Sequence, residues 1–422
     1  MHLILNLFEL LMGLWRGTLD CDPLDDRSLW DWTGLKDDVI WQKHGARVAA
    51  ATPYLPNSFD RPPRNPAEAM SSGYKAQECL TYLFGLGPGL LRDILPDVYW
   101  RHYCKIVRGY RLIYQRKITK EEVVTAHKLL CEAVEDYESL YYRRLPSRLH
   151  FVRQSIHILL HEALEIIRLG PGTYYTQWTM ERTIGNLGEE IKQHSDPYEN
   201  LSQRVTRRAQ VNALKSLIPD LEPDNDCLPC SSEDLGDSYA LLRARDKYNQ
   251  TICGLAGDAI KDYLEDTTGI TYAENFSPSL QRWARLLLPN GQIARSAWKE
   301  KQKALNKVRM SRNIRFEDPV DGESYGEVQF YFQAKTDDDE IISLALISPY
   351  SPPDQDLLES SFNSLWVSSS TGDGELQIIE ANTISSVVGM IPFDDHGRFF
   401  VVPKMGLEAG SMCGVRERDT ES

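Results

Sequence analysis

"QWTMERTIGNLGEEI", residues 177–191, poses the question that decides how this chain is read. Met180, Ile184, Leu187 and Ile191 recur at helical spacing, which predicts a helix from about Thr179 to His194 with one buried face. Glu181 sits at the margin of that face, with Gly185 one turn on and Gly188 and Glu189 two turns on. A glycine costs a helix up to about 1 kcal/mol relative to alanine, so two of them beside an acid ask for a reason. Small residues there leave room for the backbone of a large ligand. The plainer alternative is a solvated glutamate on an amphipathic helix, with glycines for close helix packing. Basic groups surround the acid in sequence: Arg182, Lys192, Arg204, Arg207 and Arg208. An acid in a pocket with basic flanks suits a metal ion together with a phosphodiester.

The chain has 422 residues and is 42% hydrophobic, enough for two or three domains with real cores. A net charge of −14 excludes a molecule that is a basic clamp throughout, so any polyanion contact must come from local patches. Eight cysteines in this length do not make a disulfide framework and fit a reduced, intracellular setting. "MHLILNLFELLMGLW", residues 1–15, has no basic lead and is interrupted by Asn6 and Glu9, so it is a poor signal peptide and too short and polar to span a bilayer. Leu3, Leu7, Leu10 or Leu11, and Leu14 share a helical face. A chain that opens directly on a core helix is expected to have lost sequence upstream.

Helices are expected over 1–20, about 71–84, about 89–115 with a break near Pro96, and 119–143, after a long loop region over 21–70. "GLGPGL" at 85–90 has no preceding strand and no following Lys-Ser/Thr, so it reads as a helix-to-helix turn and not a phosphate loop. A helix from Ser147 to Arg168, stopped by "GPG" at 170–172, leads into the Glu181 helix. "SDPYEN" then breaks the pattern before "LSQRVTRRAQVNALKSL". At Ser324 the period changes. "YGEVQFYFQA", "EIISLALISPY", "SLWVSSS", "GELQIIEA" and "SSVVGMIPF" are short strand patterns split by turn residues.

The stretch "LPSRLHFVRQSIHILLHEALEIIRLGPGTYYTQWTMERTIGNLGEEIKQHSDPYENLSQRVTRRAQVNAL", residues 145–214, resembles the C-terminal half of CACTA-type (En/Spm) transposases. That family has a histidine-bearing helix, a Gly-Pro turn, an aromatic, then Phe/Met-Glu-Arg and a glycine-containing helix. "MHLILNLFELLMGLWRGTL" is similar to the family's Asp-x-Met-His-Leu segment. "FDRPPRNPAEAMSSGYKAQECLTYLFGLGPGLLRDILP" resembles the insertion that follows it, and "RWARLLLPNGQIARSAWKE" with "YGEVQFYFQ" resembles the downstream parts of fungal members. The resemblance implies an RNase H-like fold in which two Asp and one Glu hold Mg²⁺ or Mn²⁺ for cleavage and joining of transposon-end DNA. Glu181 matches the third acid. The second Asp would precede Met1 and the first would lie further upstream, so the chain is expected to be a truncated or relic transposase, inactive alone. The alternative is a non-catalytic, domesticated fragment that binds DNA or a protein partner. The resemblance also implies a nuclear protein, with a homo-oligomer as a further option and no membrane association.

His150, His157 and His161 share one helical face, and His127 and Cys131 share another on the preceding helix. Packed antiparallel, these could form a zinc site; hydrogen-bonded core or surface imidazoles are the ordinary alternative. Cys227 and Cys230 form a CxxC without a second pair. Lys299, Lys301, Lys303, Lys307, Arg309 and Arg312, with Glu300 the one acid and Trp298 interleaved, suit DNA backbone contact or a solvated helix face. No nucleophile elbow, dinucleotide fingerprint or HExxH is present. The expected class is mainly α with a small C-terminal all-β module, on an incomplete RNase H-like core with a helical insertion. The expected order is a core helix at 1–20, a helical insertion at 21–172, the Glu-bearing helices at 173–218 and an acidic linker at 219–245. A basic helical connector at 246–315, a β-barrel-like module at 316–403 and a disordered tail at 404–422 complete it.

Overall fold

The computed structural model describes residues 1–70, 73–191, 195–221, 228–335 and 341–405, so nearly all of the expected tail lies outside the described residues. The first part of the chain is helical and the C-terminal part is antiparallel sheet, as the change of period predicts. The helices are α1 (His2–Arg16), α2 (Asp38–Ala50), α3 (Pro66–Ala69), α4 (Ala76–Thr81), α5 (Gly87–Leu90), α6 (Asp97–Ile113), α7 (Lys120–Tyr137), α8 (Gln154–His157), α9 (Leu159–Leu169), α10 (Trp178–Glu190) and α11 (Pro197–Leu217). None of the described helices is long and apolar enough to cross a membrane.

The leucine stripe of α1 is buried as its spacing predicts: Leu7, Leu10, Leu11 and Leu14 are fully enclosed. Each such side chain contributes about 2 kcal/mol through burial. Around them lie Trp15, Trp32, Trp100, Tyr103, Tyr137 and Tyr141, and the Trp15 indole donates to the Tyr141 hydroxyl at 3.1 Å. α7 begins at a reciprocal cap: Thr119 Oγ1 accepts from the Glu122 N–H, and Glu122 Oε2 accepts from the Thr119 N–H at 2.8 Å. The region 21–70 is more structured than its composition suggests, because Asp37 caps α2 by accepting from Val39 and Ile40. "GLGPGL" is not an exposed turn. It continues a π-helical turn at Tyr82–Leu86 into α5 and is buried throughout.

The strands are β1 (Glu233–Gly236), β2 (Tyr239–Arg245), β3 (Gln250–Thr251), β4 (Ser279–Leu280), β5 (Trp283–Leu287), β6 (Ile293–Arg295), β7 (Asn313–Asp318), β8 (Gly322–Lys335), β9 (Ile341–Pro349), β10 (Val367–Ser369), β11 (Gln377–Glu380), β12 (Ile384–Val387), β13 (Gly389–Pro392) and β14 (Arg398–Val402). Two expectations are corrected here. The acidic linker at 219–245 carries β1 and β2, and the helical connector at 246–315 carries β3 to β6 and the start of β7, with α12 (Leu255–Thr268), α13 (Ala297–Glu300) and a 3₁₀ turn at Leu305–Lys307 as its helical parts. The basic residues misled the reading, since Arg285 and Arg295 look solvated in sequence but are 5% and 6% exposed and directly paired across β5 and β6.

β8 is the spine of the large sheet, bonded to β9 on one edge and to β7 and β5 on the other. A bulge between Val328 and Phe330 shifts the pleat. Val328 and Tyr331 therefore face one core, while Phe330 and Phe332 face a second, closed by Ile260 of α12. A smaller sheet, β10-β14-β13, packs on the helical lobe: Val367, Ile391, Phe400 and Val402 belong to the helical core. α14 (Gln355–Ser360) precedes β10. A Cβ on Gly89 would lie 2.8 Å from the Phe400 ring, and one on Gly85 3.0 Å from Val402, so glycine at both positions is what lets this sheet seat.

Candidate functional site

α10 is anchored at its start, where Trp178 packs against the helical core. Glu181, in the first turn, is half-buried. Burial pushes the Met1 amino group below its ordinary value, and Glu162 of α9 and then Glu181 pull it back. Both carboxylates therefore contribute to the electrostatics of that amine. Burial in turn raises Glu162, against the pull of that amine. Tyr175, between α9 and α10, is pushed up by burial and by Glu162 and Glu165. Glu162, Glu165 and Glu181 thus make the electrostatics around the Met1 amine and Tyr175 acidic. Among the described residues, Gly185 and Gly188 meet nothing within 4 Å of where a Cβ would stand. Close helix packing is thus not what these glycines serve; they leave space beside Glu181.

Mg²⁺ demands near-ideal octahedral oxygen geometry, and the family pattern calls for three acids. Among the described residues no group of three or more His, Cys, Asp or Glu side chains converges on one point. Glu162 and Glu181 by themselves do not make the three-acid set.

Arg182, Arg204 and Arg207 are exposed and form no ion pair among the described residues. Arg208 is instead paired with Glu190 across α10 and α11. Lys192 lies outside the described residues. The same two helices expose apolar side chains: Met180 is 54% and Ile184 55% accessible, and no residue of α11 is buried.

The remaining basic residues are mostly used by the fold. Arg309 donates to the carbonyls of Leu55, Pro56 and Asp60 at 2.9, 2.7 and 2.7 Å. Arg312 pairs with Glu327 at 2.6 Å and with buried Glu300 at 3.5 Å, and Lys301 joins Glu327 at 2.9 Å. Arg309 and Arg312 are thus engaged within the fold. Lys299 lies 3.9 Å from the centre of the Trp298 ring, and Lys303 and Lys307 are exposed.

The histidines and cysteine fall into separate sets. His127 and Cys131 are 3.7 Å apart, His157 and His161 meet at 3.1 Å between their Nε2 atoms, and His150 Nε2 donates to the Asp20 carbonyl at 2.6 Å. The single zinc site drawn from all five is therefore not assembled among the described residues. Cys230 is exposed beside Ser231, and Cys227 lies outside the described residues.

A cavity of about 460 Å³ lies between the lobes. It lies between the C-terminal end of α6 and strands β7, β8 and β12, and Arg108, Arg111, Arg315, Glu122, Glu323 and Trp366 all line it. The signal was present as "VRGYR", residues 107–111: two arginines three apart in a helix that is otherwise buried on that side. Comparisons of the chain with protein-family models, with curated proteins and with solved structures return no match.

Proposed function

We propose that this chain is a DDE-transposase-type polypeptide of the CACTA kind that does not cleave or join DNA on its own, with Glu181 in the position of the third acid. One observation carries the reading. The resemblance requires the Glu helix and the Met-His-Leu segment to lie on the same side of the core, and Glu181 is among the charges that raise the Met1 amino group. The open space at Gly185 and Gly188 supports it, because a strand of nucleic acid needs room beside the acid. Arg182, Arg204 and Arg207 are the side chains suited to hold its phosphates. The three-acid metal set is incomplete among the described residues, so no bond-breaking step is assigned.

The test is a salt series of DNA-binding titrations with the Arg182→Gln, Arg204→Gln, Arg207→Gln triple variant. Binding should weaken, and its salt slope should fall by about one for each phosphate that is no longer neutralised. Equal affinity and an unchanged slope would remove the basis for the reading. The exposed apolar faces of α10 and α11 favour a second reading, in which those helices bind a protein partner without chemistry. In that case the triple variant leaves DNA affinity unchanged, while Ile184→Asp abolishes partner capture.

A further inference from the structure

We propose that the cavity between the lobes is a binding site for a phosphate-bearing small molecule of about nucleotide size, held by Arg108. The inference is independent of the Glu181 reading and starts from where the charges are spent. Arg111 donates to the carbonyls of Phe84 at 2.9 Å, Ser364 at 2.8 Å and Gly85 at 3.5 Å. Its positive charge meets carbonyl dipoles only; it forms no ion pair among the described residues. Burial lowers its pKa to about 10, which still leaves it charged at neutral pH.

Arg108, one turn earlier on α6, makes neither a hydrogen bond nor an ion pair among the described residues, yet it is only half-exposed. Burial pushes its pKa down, partly offset by Glu122 and Glu323. Those two carboxylates line the same cavity but are engaged elsewhere. Glu122 caps α7 and accepts from Gln115 at 3.3 Å. Glu323 accepts from the Tyr325 hydroxyl at 2.7 Å and pairs with Arg315 at 3.5 Å. A partly desolvated guanidinium with no partner is costly, and its five N–H donors form a planar fork that matches phosphate oxygens two at a time.

Size and lining define the rest of the ligand. At about 460 Å³ the cavity falls in the range of small-molecule sites and far exceeds a bare phosphate. Tyr114 and Trp366 supply aromatic surface on its wall, so an organic remainder can lie against them while the phosphate meets Arg108. The mix of arginines, amides and aromatic rings is what a nucleotide-like molecule needs.

The experiment is calorimetry and thermal melting of the full chain with four probes: inorganic phosphate, pyrophosphate, adenosine 5′-monophosphate and adenosine. The monophosphate should bind most tightly, pyrophosphate and phosphate more weakly, and adenosine not measurably. Arg108→Gln should lower affinity by at least about tenfold without lowering the melting temperature of the free protein, since Arg108 has no protein partner to lose. Glu323→Gln should tighten binding by removing a nearby negative charge. No binding of any phosphate probe at millimolar concentration overturns the proposal, as does equal binding by Arg108→Gln. Adenosine binding as well as its monophosphate also overturns it. So does a single-stranded oligonucleotide that binds more tightly than the monophosphate and depends on Arg108, which would make the cleft a strand-binding groove.

Discussion

Arg309 Nε donates to the Leu55 carbonyl at 2.9 Å, tying the sequence before β7 to the 52–60 segment of the helical lobe. The same guanidinium reaches Pro56 and Asp60, and the Met310 N–H donates to Pro53 at 2.8 Å. Arg309→Gln should cost roughly 2–4 kcal/mol, because it strands several carbonyls that a charged donor now satisfies. Urea denaturation measures the loss. DNA affinity measured below the denaturation midpoint should not change, the opposite of what a phosphate-contacting arginine would show.

Asp25 and Arg148 form a bidentate pair with 2.8 Å contacts, each side chain 4% exposed, pinning the 21–37 segment to the turn before α8. Arg148→Met leaves a buried carboxylate uncompensated and should cost about 3–5 kcal/mol. Combining it with Asp25→Leu should recover most of that loss, since an apolar pair avoids the desolvation of two ions. A double-mutant cycle by chemical denaturation checks this; an additive double mutant would contradict it.

His44 and His102 are both buried, and burial lowers each to about 4. His44 Nε2 is 2.7 Å from the Tyr82 hydroxyl, and His102 Nε2 donates to the Ala133 carbonyl at 3.0 Å. Both are neutral when folded but protonate near 6.5 when unfolded. Between these values the unfolded chain binds more protons, so stability rises with pH across that window. It should be complete above about 6.5 and fall as the pH drops towards 4, by roughly 3 kcal/mol per histidine. His102→Gln should flatten the slope of the unfolding free energy against pH in that window.

Gly185 and Gly188 stand within a helix and face open space. Alanine at each should stabilise α10 by up to about 1 kcal/mol with no steric cost. If the open space at these glycines holds a nucleic-acid strand, the same double variant should weaken DNA binding while raising the melting temperature. Opposite movement of the two readouts is the expected signature, and unchanged binding would show that the space is not used.

Local chemistry made much of the helical lobe legible. The leucine stripe of α1, the start of α7 at Thr119 and the stop after α9 at Gly170 all follow from spacing and turn residues. The reading of 147–168 as one helix failed because Arg148 is drawn to Asp25, which leaves a 3₁₀ turn at Pro146–Phe151 and a break before α8. The strands before 318 were hidden for a different reason. Arginines that look solvated in sequence are buried there by partners distant along the chain, and Glu300 and Glu327 cannot be recognised as the neutralisers of Arg312 from order alone. The interlobe cavity left only the spacing of Arg108 and Arg111 in the sequence, because its walls come from α6 and from strands some 200 residues later.

The seating of Phe400 and Val402 over Gly89 and Gly85 has a bearing on how the polypeptide can be handled. The helical half carries a socket shaped for a plug that lies some 300 residues further along the chain. Nicked between the halves, the two pieces should stay together through gel filtration, and neither should be obtainable as a well-behaved fragment when expressed without the other.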